Sequence, residues 1–93
     1  MVLVTPAQAL AEIRRYATQG RLRLSGHAKL RARRRGATFD DVRESLMNAT
    51  ACVANGDAVG RWNATGRDVD GDLLTSVVVF ESGLLIVTVF ERG

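Results

Sequence analysis

Hydrophobic and polar positions repeat with a helical period in the first half of the chain and alternate in the second half. Apolar residues at three- and four-residue spacing predict helices over residues 6–19, 26–35 and 39–48. Each helix follows a residue whose side chain can cap its first turn, namely Thr5, Ser25 and Thr38. Gly20 and Gly36 then suit the C-terminal ends of the first two helices.

From Thr50 onward the alternation is that of β-strands. It predicts four consecutive antiparallel strands, over residues 51–54, 59–66, 73–81 and 84–90. Asn55-Gly56-Asp57 and Asp70-Gly71 predict turns between them, and Ser82-Gly83 predicts a two-residue hairpin loop. Residues 21–24 also alternate, which predicts a short strand that joins the same sheet beside an unknown partner.

These elements predict an α+β fold in which three helices pack on one face of an antiparallel sheet of four to five strands. The last two strands are too apolar to leave both faces in water, so one face needs the helices as a cover. A chain of 93 residues supports one hydrophobic core, and residues 1–93 are therefore expected to form a single domain.

Charge divides the chain more sharply than its net value of +3 indicates. Residues 1–36 contain nine basic side chains and one acid, whereas residues 37–93 contain four basic side chains and nine acids. The segment 21–35 alone has seven basic residues and no acid, and six of the seven are arginine. Because guanidinium groups match phosphate bidentately, this segment predicts binding to a polyanion, with a solvated basic helix as the alternative.

Several functional classes are excluded by what the sequence lacks. One cysteine and one histidine are too few for a disulfide or a zinc site of those ligands, so no metal site is expected. Asp68-Val69-Asp70-Gly71-Asp72 does not match a calcium loop, because its glycine falls at position four instead of six. No phosphate-binding loop or dinucleotide fingerprint is present, so no cofactor is expected.

The start of the chain lacks the pattern of a secretory signal, and no run of apolar residues is long enough to span a membrane. A cytoplasmic location without membrane contact is the expectation. Cys52 begins an apolar strand without a basic neighbour, so we expect it to be a small buried residue and not a nucleophile.

The strongest local pattern is the second helix. His27, Arg31 and Arg35 recur at four-residue spacing, so they line one face and can converge on one ligand. A histidine in the first turn, where free N–H groups attract anions, suits a general base beside a phosphate. The alternative is a structural histidine packed at the sheet edge, with solvated arginines around it.

The strand at 59–66 offers a second polar set. Arg61 and Asn63 share one face, with Arg67 nearby, and this face either lines a groove or meets solvent above a packed Trp62. In the last strand, alternation places Thr88 on the face of Ile86 and Phe90. Its hydroxyl is either catalytic or a hydrogen-bonded core group.

The sequence predicts two sets of functional residues. The candidate catalytic residues are His27, Arg31, Arg35 and Thr88. The candidate nucleic-acid contacts are Arg21, Arg23, Lys29, Arg34, Arg61, Asn63 and Arg67.

The run Leu24-Ser25-Gly26-His27-Ala28, followed by Arg31, Arg35-Gly36 and Asp41-Val42, resembles the signature of the bacterial domain of unknown function 4258 family. The closing hairpin from Val77 to Phe90 is similar to the ending of that family, so the resemblance covers residues 8–90. Ala37 departs from it, since a larger aliphatic residue is usual there. The family is distantly related to the RelE, barnase and colicin-nuclease group of small RNA-cleaving toxins. The resemblance therefore implies a RelE/barnase-like fold and an RNase-like toxin of a toxin–antitoxin pair, or a descendant that kept the fold.

Three functional hypotheses follow. The first is a metal-independent endoribonuclease in which His27 deprotonates the 2′-OH of RNA while Arg31, Arg35 and Arg61 stabilise the phosphorane. The second is a non-catalytic module that binds nucleic acid or an acidic partner through the arginine helix, and the third is a protein-binding module that uses an exposed strand edge. The expected partners are RNA, free or on the ribosome, and a cognate antitoxin protein.

Overall fold

The computed structural model describes residues 5–56 and 60–91. Its elements, in chain order, are α1 (Pro6–Thr18), β1 (Leu22–Leu24), α2 (Gly26–Arg34), α3 (Phe39–Met47), β2 (Ala51–Ala54), β3 (Arg61–Arg67), β4 (Leu73–Phe80) and β5 (Leu84–Glu91). Each predicted helix and strand is present, and the helices end one residue earlier than predicted. The predicted start of the third strand, at Val59, lies outside the described residues.

The five strands form one sheet in the order β1-β5-β4-β3-β2. Strands β2 to β5 pair with their chain neighbours in antiparallel fashion, as predicted. β1 pairs with β5 in parallel, with Leu22 opposite Leu84 and Leu24 opposite Ile86. The α+β class is therefore confirmed, but the sheet is mixed and not antiparallel throughout.

All three helices lie on one face of the sheet and share one core with it. The largest fully buried side chains come from both layers: Ile13, Leu46, Leu74, Leu84 and Ile86. Arg43 joins α3 to α1 within the helix layer, because its Nε and Nη2 donate to the carbonyls of Ala17 and Thr18 at the end of α1. These bonds satisfy acceptors that a helix C-terminus otherwise leaves open.

α3 approaches β3 at a single glycine. A Cβ added to Gly66 would lie 2.0 Å from the carbonyl oxygen of Ser45 and 2.9 Å from the Ala49 backbone. No side chain fits at that distance. Gly66 therefore sets how closely α3 packs on the sheet.

The N-termini of the helices are capped as the sequence predicts. Thr38 and Asp41 form a reciprocal capping box at α3, where the Asp41 carboxylate accepts from the Thr38 N–H at 2.9 Å. At α2, the Ser25 hydroxyl accepts from the Ala28 N–H and donates to the Val87 carbonyl, each at 3.0 Å. Ser25 therefore fixes the start of α2 against β5.

A β-bulge in the β4–β5 pair changes which residues share a face. Val77 pairs with Thr88 and Val78 pairs with Ile86, and neighbouring residues of a strand point to opposite faces. Ile86 is fully buried under the helices, so Thr88 lies on the opposite, open face. The prediction that Thr88 shares a face with Ile86 is wrong, because the alternation breaks at the bulge.

The hairpin between β4 and β5 also differs from the prediction. Phe80 pairs with Leu84, which leaves the three residues Glu81, Ser82 and Gly83 in the loop where two were predicted. Ser82 and Gly83 both have positive φ angles, of 50° and 109°. The turn therefore contains the predicted Ser82 and Gly83, preceded by one further residue, Glu81.

Candidate nucleic-acid interface

α2 packs on β5 through two small buried side chains, both of them alanines. Ala28 is fully buried and Ala32 is 4% exposed, and alanines allow the helix backbone to lie close to the sheet. The rest of this nine-residue helix consists mainly of long basic side chains. The helix is therefore attached by a narrow apolar stripe and presents basic groups on either side of it.

Helical periodicity divides the basic groups of α2 into two surfaces. We call the residues at i, i+4, i+7 and i+8 the His27 flank, which comprises His27, Arg31, Arg34 and Arg35. The opposite side, which we call the Lys29 flank, comprises Lys29 and Arg33. Leu30 lies between the flanks on the solvent side, with 44% of its surface exposed. The structure thus brings His27, Arg31, Arg34 and Arg35 together and separates Lys29 from them.

His27 is exposed on the first turn of α2. The alternative of a histidine packed at the sheet edge is therefore wrong. Ser25 satisfies the N–H of Ala28, whereas the first N–H groups of a helix have no acceptor within the helix itself. An anion beside His27 would meet these donors and the positive end of the helix dipole.

Arg31 is the half-buried member of the His27 flank. Its Nε is shielded from solvent and has no hydrogen-bond partner among the described residues. A buried donor without a partner is costly, and guanidinium groups bind phosphate oxygens with two parallel N–H groups. Because the shielded Nε is closed to a ligand as well as to water, a phosphate at Arg31 would be bound by the Nη groups of the guanidinium.

Arg34 and Arg35 extend the same flank at the C-terminal end of α2. Both are exposed, and Arg35 is the C-cap residue, with its N–H directed at the carbonyls of the last turn. Cations at this end are also favourable to the helix dipole. Across residues 5–56 and 60–90, no carboxylate forms a salt bridge with a basic group of α2, so these charges are open to a ligand.

The two arginines that precede α2 are already engaged by the protein. The guanidinium of Arg21 lies 5.2 Å from the centre of the Tyr16 ring, in a cation–π contact. Arg23 donates to the Glu81 carbonyl at 2.8 Å and lies 3.3 Å from the Glu81 carboxylate. Both arginines would have to give up these contacts in order to bind RNA.

The remaining predicted residues lie on the far side of the sheet. Gly66 faces α3, so alternation directs Arg61 and Asn63 to the open face, where Thr88 also lies. Asn63 accepts from Asn55 Nδ2 at 2.6 Å. Arg67 is at the other end of β3 from Arg61 and donates to the Gly71 carbonyl at 2.7 Å. The sheet thus separates Arg61, Asn63 and Thr88 from the His27 flank.

Three carboxylates meet away from α2. Oxygens of Asp41, Asp68 and Asp70 lie within 4.8 Å of one another. Asp41 is occupied by its capping bonds, and Asp68 accepts from the N–H groups of Asp70 and Asp72. The Thr38 N–H, more than any other group, lowers the pKa of Asp41. These hydrogen bonds explain why the carboxylates lie together, since Asp41 caps α3 and Asp68 stabilises the turn after β3.

Burial raises the pKa of the Cys52 thiol. The reactive thiolate is correspondingly disfavoured, as expected for a small core residue. Cys52 therefore adds no nucleophile to the site.

Sequence analysis missed a groove on the Lys29 flank. Phe39, at the first position of α3, is 49% exposed and lines this groove together with β1 and α2. The one signal in the sequence is a large apolar residue at the first position of a helix, where a polar residue is usual. The groove itself depends on how three elements pack, which the sequence pattern does not reveal.

Comparison with protein-family models gives no match to this chain, and comparison with curated proteins gives no significantly similar sequence. The resemblance described above stays a prediction. Among the described residues, no helix combines the length and apolar character that crossing a membrane requires.

Proposed function

We propose that the protein binds RNA through the phosphates of its backbone, and that the His27 flank of α2 is the binding surface. The observation that carries this proposal is the cluster of three arginines on this flank, Arg31, Arg34 and Arg35, none of which forms a salt bridge with a carboxylate in the described chain. Exposed cationic side chains at Arg34 and Arg35 extend the surface for more than one phosphate. Arginine contacts of this kind bind the backbone and do not select a base sequence.

The experiment is a measurement of RNA affinity against salt concentration. Neutralised phosphates release counterions, so the slope of log affinity against log salt counts the contacts. The double variant Arg31→Ala with Arg35→Ala should bind more weakly and lose about two units of slope. The matched control, Lys29→Ala with Arg33→Ala, removes two charges from the opposite flank and should keep most of the slope. Equal affinities and slopes for wild type and the Arg31/Arg35 variant would remove the His27 flank from the site.

A second candidate function is cleavage of the bound RNA, and the exposure of His27 one turn before Arg31 favours it. The imidazole would take the proton of the 2′-OH, and that oxygen would attack the adjacent phosphorus while Arg31 and Arg35 balance the phosphorane charge. The bond to the 5′-oxygen then breaks, and this oxygen takes up a proton from the imidazolium or from water. The products are a 2′,3′-cyclic phosphate and a 5′-hydroxyl. Arg61 and Thr88 lie across the sheet and have no role in this scheme.

Cleavage is tested by incubating the purified protein with RNA in a chelator and analysing the product ends. A 2′,3′-cyclic phosphate that is formed by the wild type and lost in His27→Ala supports the mechanism. RNA that stays intact under all conditions, including with ribosomes present, contradicts catalysis and leaves RNA binding as the function.

The resemblance to RNase-like toxins supports a place in a bacterial toxin–antitoxin system, with a cytoplasmic location as part of the same proposal. Overproduction should then arrest bacterial growth, and His27→Ala should abolish the arrest while the protein stays folded. Growth arrest that persists in this variant would contradict the proposed role of His27.

A further inference from the structure

An apolar groove with a basic rim lies between β1, α2 and the start of α3. It has a volume of about 480 Å³. Its apolar lining comes from Leu22, Leu24, Ala32, Ala37 and Phe39, and its basic side chains are Arg23, Lys29 and Arg33. None of the described residues that line it is acidic. The groove therefore favours a ligand that combines an apolar group with negative charge.

β1 borders this groove with an unpaired strand edge. The carbonyl of Arg21 accepts from the Leu84 N–H, and the Ser25 N–H donates to the Ile86 carbonyl, both at 2.9 Å. In a parallel pair, alternate residues direct their N–H and C=O groups to the neighbouring strand. Leu22 and Leu24 therefore direct theirs away from β5, and no described residue hydrogen-bonds to them. A free edge of this kind is a template for another strand.

We propose that an extended, acidic peptide segment of a partner protein binds here as a sixth strand beside β1. Its backbone pairs with Leu22 and Leu24, and one aliphatic side chain enters the groove against Phe39. This mode of recognition combines main-chain hydrogen bonds with a pocket for an alternate side chain. The proposal is independent of RNA binding, because it uses the Lys29 flank and not the His27 flank.

The observations favour a peptide over RNA as the occupant. Among the described residues, the groove is lined mainly by aliphatic side chains and by one aromatic residue, Phe39, whereas single-stranded RNA is bound by stacking on several aromatic rings. The free edge offers backbone donors and acceptors at strand spacing, which a peptide matches along its length.

The basic side chains beside the groove indicate where the partner peptide should carry acidic residues. Lys29 and Arg33 form no salt bridge with any carboxylate in the described part of the chain, while Arg23 is paired with Glu81. In an extended peptide, residues two positions apart lie on the same face. Acidic residues two positions before and after the aliphatic residue would therefore lie near Lys29 and Arg33.

The probe is an acetylated, fluorescein-labelled peptide, Thr-Glu-Thr-Leu-Thr-Glu-Thr, in which the leucine and both glutamates share one face. We expect saturable binding to the wild-type protein by fluorescence anisotropy. Amide hydrogen exchange of Leu22 and Leu24 should slow at least about tenfold in the complex, because their N–H groups become paired. Absence of binding at about 1 mM peptide overturns the proposal.

Strand pairing is tested on the peptide, so that the protein stays unchanged. Two further peptides carry N-methyl groups on complementary sets of alternate residues. Because only one set of N–H groups faces β1, one of the two peptides should bind and the other should not. Equal binding of both would exclude strand addition.

Matched protein variants locate the charges. Lys29→Glu with Arg33→Glu should weaken peptide binding about tenfold, and Arg31→Glu with Arg34→Glu, on the other flank, should change it less than about twofold. All four positions lie on the solvent-accessible sides of α2 and none is fully buried. The opposite ranking overturns the proposal. An oligouridylate that displaces the peptide, and that needs Lys29 and Arg33 to do so, would assign the groove to RNA and overturn it as well.

Discussion

α2 and α3 are two helices of nine residues each, and both begin after a side-chain cap, yet they contribute very differently to the hydrophobic core. α3 buries four residues, including Val42 and Leu46, and packs directly over Gly66. α2 buries only Ala28 and Ala32. A helix that contributes large core side chains is fixed by them, whereas a helix attached by two alanines leaves its long side chains at the surface. Substitutions in and under α3 should therefore alter stability, and substitutions on α2 should alter binding.

The largest effect is expected at the glycine beneath α3. Gly66→Ala places a methyl group 2.0 Å from the Ser45 carbonyl oxygen, and backbone atoms cannot move aside cheaply. The free energy of unfolding, measured by urea denaturation, should fall by at least about 3 kcal/mol. The matched control is Gly26→Ala at the start of α2, where an added Cβ meets nothing within 4 Å. It should leave stability unchanged or raise it by up to about 1 kcal/mol, and similar values for the two variants would contradict the close approach.

Next in size is the loss of a core side chain of α3. Leu46→Ala should lower the free energy of unfolding by about 3 kcal/mol, because Leu46 is fully buried. RNA affinity, measured where the variant is still folded, should stay within about twofold of the wild type. Leu30→Ala on the exposed side of α2 serves as the control and should cost no more than about 0.5 kcal/mol. A variant of Leu46 that loses RNA affinity while folded would break the division of roles between the helices.

His27→Ala should have the opposite effects, with a large loss of function and little change in stability. If the protein cleaves RNA, the rate should fall at least about 100-fold, which corresponds to about 2.7 kcal/mol of activation free energy. The free energy of unfolding should change by no more than about 0.5 kcal/mol, since the side chain is exposed. The checks are single-turnover cleavage and thermal unfolding on the same preparation. A large drop in melting temperature would mean that His27 supports the fold.

The smallest effect concerns the capping box of α3. Its hydrogen bonds hold the pKa of Asp41 below the ordinary value, so the native state favours the ionised form. The stabilisation is present above the unfolded-state pKa, near 4, and is lost as the pH falls through the lower folded-state pKa. Between pH 5 and pH 2, wild type should therefore lose more stability than Asp41→Asn. Asp40→Asn, in the same turn but outside the capping box, is the matched control.

The helices were predictable because local chemistry specifies them. Thr5, Ser25 and Thr38 act as caps where predicted, and each helix follows its apolar period. The same periodicity also brings His27 and Arg31 to one flank, since i and i+4 residues of any helix lie together.

The sheet contained features that no local pattern could reveal. β1 has only three residues, so its alternation cannot specify a partner or a direction. The bulge leaves Val87 of β5 without a partner opposite the junction of Val77 and Val78, and nothing in these valines marks the break. For that reason the orientation of Thr88 could not be predicted, and neither could the groove that β1 forms with α2 and Phe39.

Because β1 pairs with β5, this part of the fold can form only late in the synthesis of the chain. Leu22 pairs with Leu84, so the two sides of this contact lie 62 positions apart in the chain. At a translation rate of roughly 5–20 residues per second, β1 and α2 wait about 3–12 s for the strand on which they pack. Until then Ser25 has no Val87 carbonyl to bind and Ala28 has no sheet to cover. The basic helix can therefore adopt its final position only after β5 has been synthesised, and the proposed RNA binding should first appear when this strand is in place.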